Sequence, residues 1–475
     1  MALRLYNTRT RTVEPFAPLS GRRVRMYVCG LTPSAEAHLG HARSFLFFDV
    51  LNRYLKHAGY EVTHVRNVTD IDDRSIARGM ETGESWQAIV EGHFASFTAS
   101  MRRMDVRDPD IEPRATAYIP QIVEMIGQLV TAGYAYATED GVYYRVKAFA
   151  RYGALSHRNV DELLIGARIA IDEHKEDALD FALWKFAKPG EPSWESPWGA
   201  GRPGWHIECS AMSRALLGEP FDIHGGGFDL IFPHHENEIA QSEPLMPAPP
   251  MANVWMHGGL LMFDGRKMSK SLGNFEPLSQ LLDRHDPLAL RLLFLQTGYR
   301  KPMNFTEASV AGATTALERL RAAYHALRAG ATSANVEPFR ERFIGALDDD
   351  MNTAGALSVL FDLAREPFSD DVEATRAFMR EALGLLGIGA VLDRQEVLAS
   401  SVDPAIATRL AAAVGDLVHV NGSTPEAAIE AVIAARNDAR KDRDFALADR
   451  LRQALAAESI VLTDNKDGTT QWTLG

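Results

Sequence analysis

The chain reads as an α/β protein with an inserted segment, followed by a helical domain and a small C-terminal unit. Three observations predict this class. A strand–loop–helix–strand pattern opens the chain, strand patterns return after residue 220, and Ala- and Leu-rich helical segments take over after Asp286. In the first pattern, residues 24–29 are a short, mostly apolar run ending at Gly30, and the Thr32-Pro33 break follows. Residues 41–57 then place Phe45, Phe48, Leu51 and Leu55 at helical spacing. Residues 61–67 alternate as a half-buried strand does. The result is a βαβ unit, whose ligands sit beyond the carboxyl ends of the strands. That predicts a site at the loop 29–41.

Residues 108–203 mix Gly, Pro and charged residues and read as an insertion. The strand pattern resumes at 221–223 and 253–257. The stretches 288–296, 310–327 and 339–365 have helical spacing, and a polar link near 400–404 precedes a last small unit. The expected division is therefore 1–107 and 204–305 for the two halves of the α/β domain, 108–203 for the insertion, 306–400 for a helical bundle and 401–475 for the final unit.

At 475 residues the chain is too long for one core. Its first 13 residues lack the apolar stretch of a secretory signal, and no apolar run approaches the roughly 20 residues that span a bilayer. A cytoplasmic protein with no membrane partner is expected. The formal charge of -13 argues against unspecific adhesion to nucleic acid but leaves room for local basic stripes. Two cysteines, Cys29 and Cys209, cannot build a disulfide framework and suit a reducing compartment.

GxxxxGK[ST] does not occur, which disfavours a P-loop site. Instead His38-Leu39-Gly40-His41 stands just ahead of the first long helix, where a glycine between two imidazoles lets a polyphosphate approach the helix N-terminus. Taken alone, the pattern also fits two ordinary loop histidines. About 230 residues downstream, Lys267-Met268-Ser269-Lys270-Ser271 lies between Gly265 and Gly273 and offers two lysines and two hydroxyls to a pyrophosphate. In this order and spacing the two motifs resemble the signature sequences of class I aminoacyl-tRNA synthetases.

A third constellation is Cys29 at the end of the first strand, Cys209 in Trp205-His206-Ile207-Glu208-Cys209-Ser210, and the run Phe232-Pro233-His234-His235-Glu236-Asn237-Glu238. His234 and Glu238 are i and i+4 and share one side of a helix. Two thiolates, an imidazole and a carboxylate suit tetrahedral zinc. A hydrolytic HExxH site fails, because Ile239 stands where a histidine is needed.

These stretches closely resemble the cysteinyl-tRNA synthetase family. The similarity includes Tyr27-Val28-Cys29-Gly30, Arg66-Asn67-Val68-Thr69-Asp70-Ile71-Asp72-Asp73, Ala187-Lys188-Pro189-Gly190-Glu191-Pro192-Ser193-Trp194 and the segments 203–213, 225–242 and 267–275, and it continues past Arg436-Asn437-Asp438-Ala439-Arg440 into the tail. The resemblance implies a Rossmann-like class I catalytic domain and a C-terminal anticodon-binding unit. It implies zinc on Cys29, Cys209, His234 and Glu238. ATP, with Mg²⁺, would fall to His38, His41, Lys267, Ser269 and Lys270. Gly30, Thr32, Thr69, Trp205 and Asp229 would line the cysteinyl-adenylate pocket. One departure stands out: the family's usual Pro-Thr-Val-Tyr-Asp-Tyr after Cys-Gly is here Leu31-Thr32-Pro33-Ser34-Ala35-Glu36.

The implied reaction joins L-cysteine to tRNA-Cys through an adenylate, with the chain acting as a monomer. The substrate carboxylate is already ionised, so attack on the α-phosphorus needs no general base. Preorganised cations and donors at the leaving pyrophosphate carry the rate, and His38, His41, Lys267 and Lys270 are expected to supply them. Two other readings share parts of this pattern. A ligase joining cysteine to an amino sugar has the same zinc and ATP motifs but lacks the final tRNA-binding unit. A silent tRNA-binding paralogue would have lost a signature histidine or lysine, and none is missing.

Overall fold

The computed structural model describes residues 2–158, 174–263, 266–267, 276–327, 336–365, 372–393, 403, 405–418, 424–458, 460–464 and 470–474. The chain divides into two compact units, Met1–Leu392 and Asp393–Gly475.

The first unit opens with an antiparallel hairpin, β1 (Arg4–Asn7) and β2 (Thr12–Pro15). It continues into β3 (Arg23–Leu31), α1 (Leu39–His57) and β4 (Glu61–Val68), the βαβ unit read from the sequence. β3 and β4 pair in parallel. Six of the nine residues of β3 are buried, as a strand covered on both faces must be. Then come α2 (Asp73–Thr82), α3 (Trp86–Arg103) and α4 (Ile119–Thr131).

The segment read only as an insertion holds a four-stranded antiparallel sheet of β5 (Ala135–Ala137), β6 (Gly141–Tyr144), β7 (Phe181–Phe186) and β8 (Gly201–Pro203). After it, α5 (Trp205–Leu217) leads to β9 (Phe221–Gly227), α6 (Glu236–Ser242) and β10 (Ala252–Gly258). β9 pairs in parallel with β3 and β10, giving the order β10-β9-β3-β4. The chain thus leaves β3 toward one edge and later returns to build the other. The switch point between β3 and β9 is where such sheets bind ligands.

A short sheet of β11 (Leu261–Phe263), β12 (Arg266–Lys267) and β13 (Met303–Phe305) follows, with α7 (Leu278–Arg284) and α8 (Pro287–Leu295) between β12 and β13. The helical part is α9 (Glu307–Ala326), α10 (Glu337–Asp348), α11 (Thr353–Leu363) and α12 (Val372–Leu385). Residues 339–365, continuous by spacing, are in fact two helices. Asp350 and Met351 sit at φ +54° and +53°, and the Asp350 carboxylate accepts from Tyr6 N (2.8 Å), the Tyr299 hydroxyl (2.9 Å) and Arg300 Nη2 (2.6 Å).

Arg291 of α8 is fully buried and ties this helical part to α1. It donates to Asp49 Oδ2 at 2.5 Å and to the carbonyls of Leu386 (2.7 Å) and Asp105 (2.9 Å). Arg53 meets the same Asp49 oxygen at 2.8 Å.

The second unit packs α13 (Ile406–Val414), α14 (Pro425–Lys441) and α15 (Phe445–Ala457) around Leu410, Ile429, Val432 and Leu455. A hairpin of β14 (Ile460–Asp464) and β15 (Thr470–Leu474) completes it. Trp472 is half-buried against that core, and its indole N–H donates to Glu430 Oε1 at 2.8 Å.

Candidate active site and metal centre

A cavity of about 870 Å³ opens at the carboxyl ends of β3, β9 and β10. Its wall includes Cys29, Gly30 and Thr32 after β3, His38 and His41 at the start of α1, Asp229 after β9, Gly259 after β10, and Trp205. These are the predicted loop and most of the predicted pocket. Thr69 is not on that wall. It is buried behind it, accepting from Asn67 Nδ2 at 3.2 Å while its backbone N–H bonds Leu31.

Gly30 is required by close approach. A Cβ there would fall 1.6 Å from the Asn67 carbonyl oxygen. Its N–H donates to Asn67 Oδ1 at 2.8 Å, which locks the ends of β3 and β4 together.

His38 and His41 form a capping box at the N-terminus of α1. His38 Nδ1 accepts from Gly40 N (3.0 Å), and His41 Nδ1 accepts from His38 N (3.2 Å). The rings stack with centroids 3.9 Å apart. Burial, then the neighbouring His38, pushes the His41 imidazole down to about 3. A ring nitrogen that accepts carries no proton, so a neutral His41 holds its proton on Nε2. His41 thus offers a neutral N–H donor beside a helix N-terminus, one of the cations and donors expected there.

Lys267 reaches the same region through the backbone. β12 pairs antiparallel with β11, Met262 opposite Lys267, and β11 continues the cavity wall formed by Gly258, Gly259 and Leu260. Arg43 of α1 clamps this wall, donating to the carbonyls of Gly259 and Leu260 at 3.0 Å and Lys301 at 2.6 Å. Ser269 and Lys270 lie outside the described residues, as does the side chain of Lys267.

Against the cavity floor, Cys29, Cys209, His234 and Glu238 bring one ligand atom each within 4.8 Å of one another, all buried. Cys29 comes from β3 and Cys209 from α5, with the sulfurs 3.7 Å apart. Glu238 Oε1 lies 3.4 Å from Cys29 Sγ and 3.2 Å from His234 Nε2. The i, i+4 relation of His234 and Glu238 holds although α6 begins only at Glu236, because a five-residue turn with π-type bonding (Ile231–His235) precedes it. His206 Nδ1 lies 2.8 Å from His234 Nδ1. With the proton of His234 in that bond, its Nε2 lone pair is free for a metal.

A second overlapping set, Cys29, His224, His235 and Glu238, meets the same distance test. Its imidazoles have other work. His224 Nε2 bonds Glu238 Oε2 at 2.9 Å, and His235 Nδ1 bonds His257 Nε2 at 2.7 Å. His224 and His257 escaped the sequence reading. They come from β9 and β10, whose parallel register sets Trp255 beside His224 and His257 beside Gly226.

Burial, then Cys209 and Glu238, pushes the Cys29 thiol well above its ordinary value, and burial also pushes Cys209 up. The His234 imidazole is driven well below its ordinary value by burial, then by His206 and His224. Two thiols, a carboxylate and a neutral imidazole facing one point suit a divalent soft-to-borderline cation, which reverses the thiol shifts.

Residues 15–315 match the model of the tRNA synthetases class I (C) catalytic domain, and 342–367 match the DALR domain. The chain is 49% identical to a cysteine–tRNA ligase of Ectopseudomonas mendocina (strain ymp) and 48% identical to one of Stutzerimonas stutzeri (strain A1501), covering 100% of each chain in both cases. Among solved structures, Mycobacterium tuberculosis methionyl-tRNA synthetase in complex with methionyl-adenylate superposes with a TM-score of 0.56. That match has 14% identity and covers 78% of this chain and 91% of that one, a likeness of fold. With a catalytic-domain match over the cavity and full-length relatives at this identity, the chain belongs to the cysteine–tRNA ligase family of class I tRNA synthetases.

Proposed function

We propose that this chain activates L-cysteine with ATP to cysteinyl-adenylate and pyrophosphate, then transfers cysteine to the 3′-terminal ribose of tRNA-Cys. The observation that carries this reading is a Cys₂HisGlu cluster whose Cys29 also lines a cavity capped by His38 and His41.

Cys29, Cys209, His234 and Glu238 are the proposed zinc ligands, and His206 and His224 orient two of them. When bound, zinc supplies a soft site that takes a thiol as thiolate far more readily than a hydroxyl. Gly30, Thr32, Trp205 and Asp229 form the proposed amino-acid and adenylate wall, with Thr69 supporting it from behind through Asn67. His38 and His41 hold the ATP phosphates at the positive end of α1, His41 as a neutral N–H donor. Lys267, Ser269 and Lys270 are the proposed grip on the pyrophosphate, with Mg²⁺ accompanying ATP. The final unit from about residue 401 is proposed to read the anticodon, and the enzyme to act as a cytoplasmic monomer. No described helix is long and apolar enough to cross a membrane. The full-length likeness to the two ligases includes the final unit, which favours this reading over an amino-sugar ligase.

ATP–pyrophosphate exchange across the amino acids, followed by charging of tRNA, tests the proposal. Cysteine alone should support exchange, and tRNA-Cys should accept it. Exchange with another amino acid, or exchange without charging, would contradict the assignment.

A further inference from the structure

The mouth of the cavity carries a second charged feature that adenylate chemistry does not use. α2 starts after β4 with an Asp72 capping box and presents Arg74 and Arg78 one turn apart. Both are exposed and both line the cavity. Among the described residues neither has an ion-pair partner, although the chain has 63 acidic against 50 basic residues. The adjacent carboxylate, Asp73, is already taken by Lys185 (2.7 Å) and Arg202 (2.5 Å).

Two aromatic rings share this mouth. Among the described residues of Met1–Leu392, the large exposed aromatics are Trp205 (44% exposed) and Phe228 (53%), and both line the same cavity. Unpaired guanidiniums beside exposed rings are the pairing that tracks a single-stranded nucleic acid, cations on the phosphates and rings on the bases.

The sheet order separates this feature from the pyrophosphate grip. α2 follows β4 at one edge, whereas the wall leading to Lys267 follows β10 at the other. Three strand spacings, roughly 14 Å, lie between. Two arginines at the β4 edge therefore address a different anion from the one beside β12.

We propose that Arg74 and Arg78 hold backbone phosphates of the single-stranded 3′ end of tRNA as it enters the cavity, with Phe228 stacking on one of its bases. The inference rests on the ligase reading above and assigns the acceptor-end contact to residues that play no part in activation.

The test uses the full-length enzyme and a tRNA-Cys transcript, comparing wild type with R74A/R78A and with F228A. Cysteine-dependent pyrophosphate exchange without tRNA should stay within about twofold in R74A/R78A. The KM for tRNA in charging should rise about tenfold or more, and its salt dependence should weaken, the log–log slope falling by about 1.4 for two lost single-strand phosphate contacts. F228A should raise that KM about fivefold or more with little change in salt slope. Normal exchange with an unchanged KM for tRNA and an unchanged salt slope would overturn the inference and leave the ligase reading intact. Collapse of exchange in R74A/R78A would place the arginines at the adenylate and also overturn it. No cysteine-dependent exchange in the wild type would defeat the ligase reading itself.

Discussion

His224 Nε2 lies 2.9 Å from Glu238 Oε2, while the other oxygen of that carboxylate faces Cys29 and His234. The imidazole thus fixes which oxygen a metal would meet. Such outer partners commonly contribute 10–100-fold in metal affinity. His224→Ala should lower zinc affinity by about that factor with the four ligands intact, read by competition with a chelator. Unchanged affinity would make His224 a packing residue only.

Arg291 and Asp49 form the buried tie between α8 and α1. Removing one partner leaves an uncompensated charge in the interior. Asp49→Ala should destabilise the first unit by about 3–5 kcal/mol in denaturant unfolding, and because α1 carries His38 and His41 at its start, adenylate formation should fall with it. A loss below about 1 kcal/mol would show that the Leu386 and Asp105 carbonyls satisfy Arg291 without the carboxylate.

His64 of β4 is buried, and its imidazole is pushed down to about 3, first by burial and then by Arg66. The unfolded chain binds a proton near pH 6.5 that the folded chain refuses until about pH 3. This contribution is therefore present above pH 6.5 and lost as pH falls toward 3. The stability of wild type relative to His64→Gln should drop by up to about 1.4 kcal/mol per pH unit over that window. A difference independent of pH would contradict a neutral buried His64.

A neutral His41, stacked on His38, predicts a second pH result. His41→Gln should slow adenylate formation by about 10²–10³, as loss of one preorganised donor does. Because His41 is already neutral at pH 6, the ratio of wild-type to variant rates should stay constant from pH 6 to 8. A ratio that climbs as pH falls would reveal an imidazolium.

Period and spacing revealed most of the scaffold: β3, α1 and β4 lie within two residues of their predicted limits, and His234 and Glu238 meet as their i, i+4 spacing requires. What escaped was non-local. The support from His224 and His257 depends on the register of β9 against β10, and the break at Asp350 depends on donors from Tyr6, Tyr299 and Arg300. The protonation of His41 depends on burial, which a loop-like stretch of sequence does not announce. The antiparallel sheet of β5–β8 was hidden because its strands run only three to six residues and long connections precede β7 and β8.

The central claim is that the metal centre separates cysteine from serine. An apolar pocket distinguishes near-isosteres by only about 10², whereas thiolate ligation offers far more. The most direct measurement is zinc content beside cysteine- and serine-dependent pyrophosphate exchange on the same preparations of wild type, Cys209→Ser and His234→Ala. Bound zinc and the preference for cysteine should fall together in both variants, with discrimination dropping toward the apolar-pocket limit of about 10². Loss of the metal with cysteine selectivity intact would make the centre structural and contradict the account.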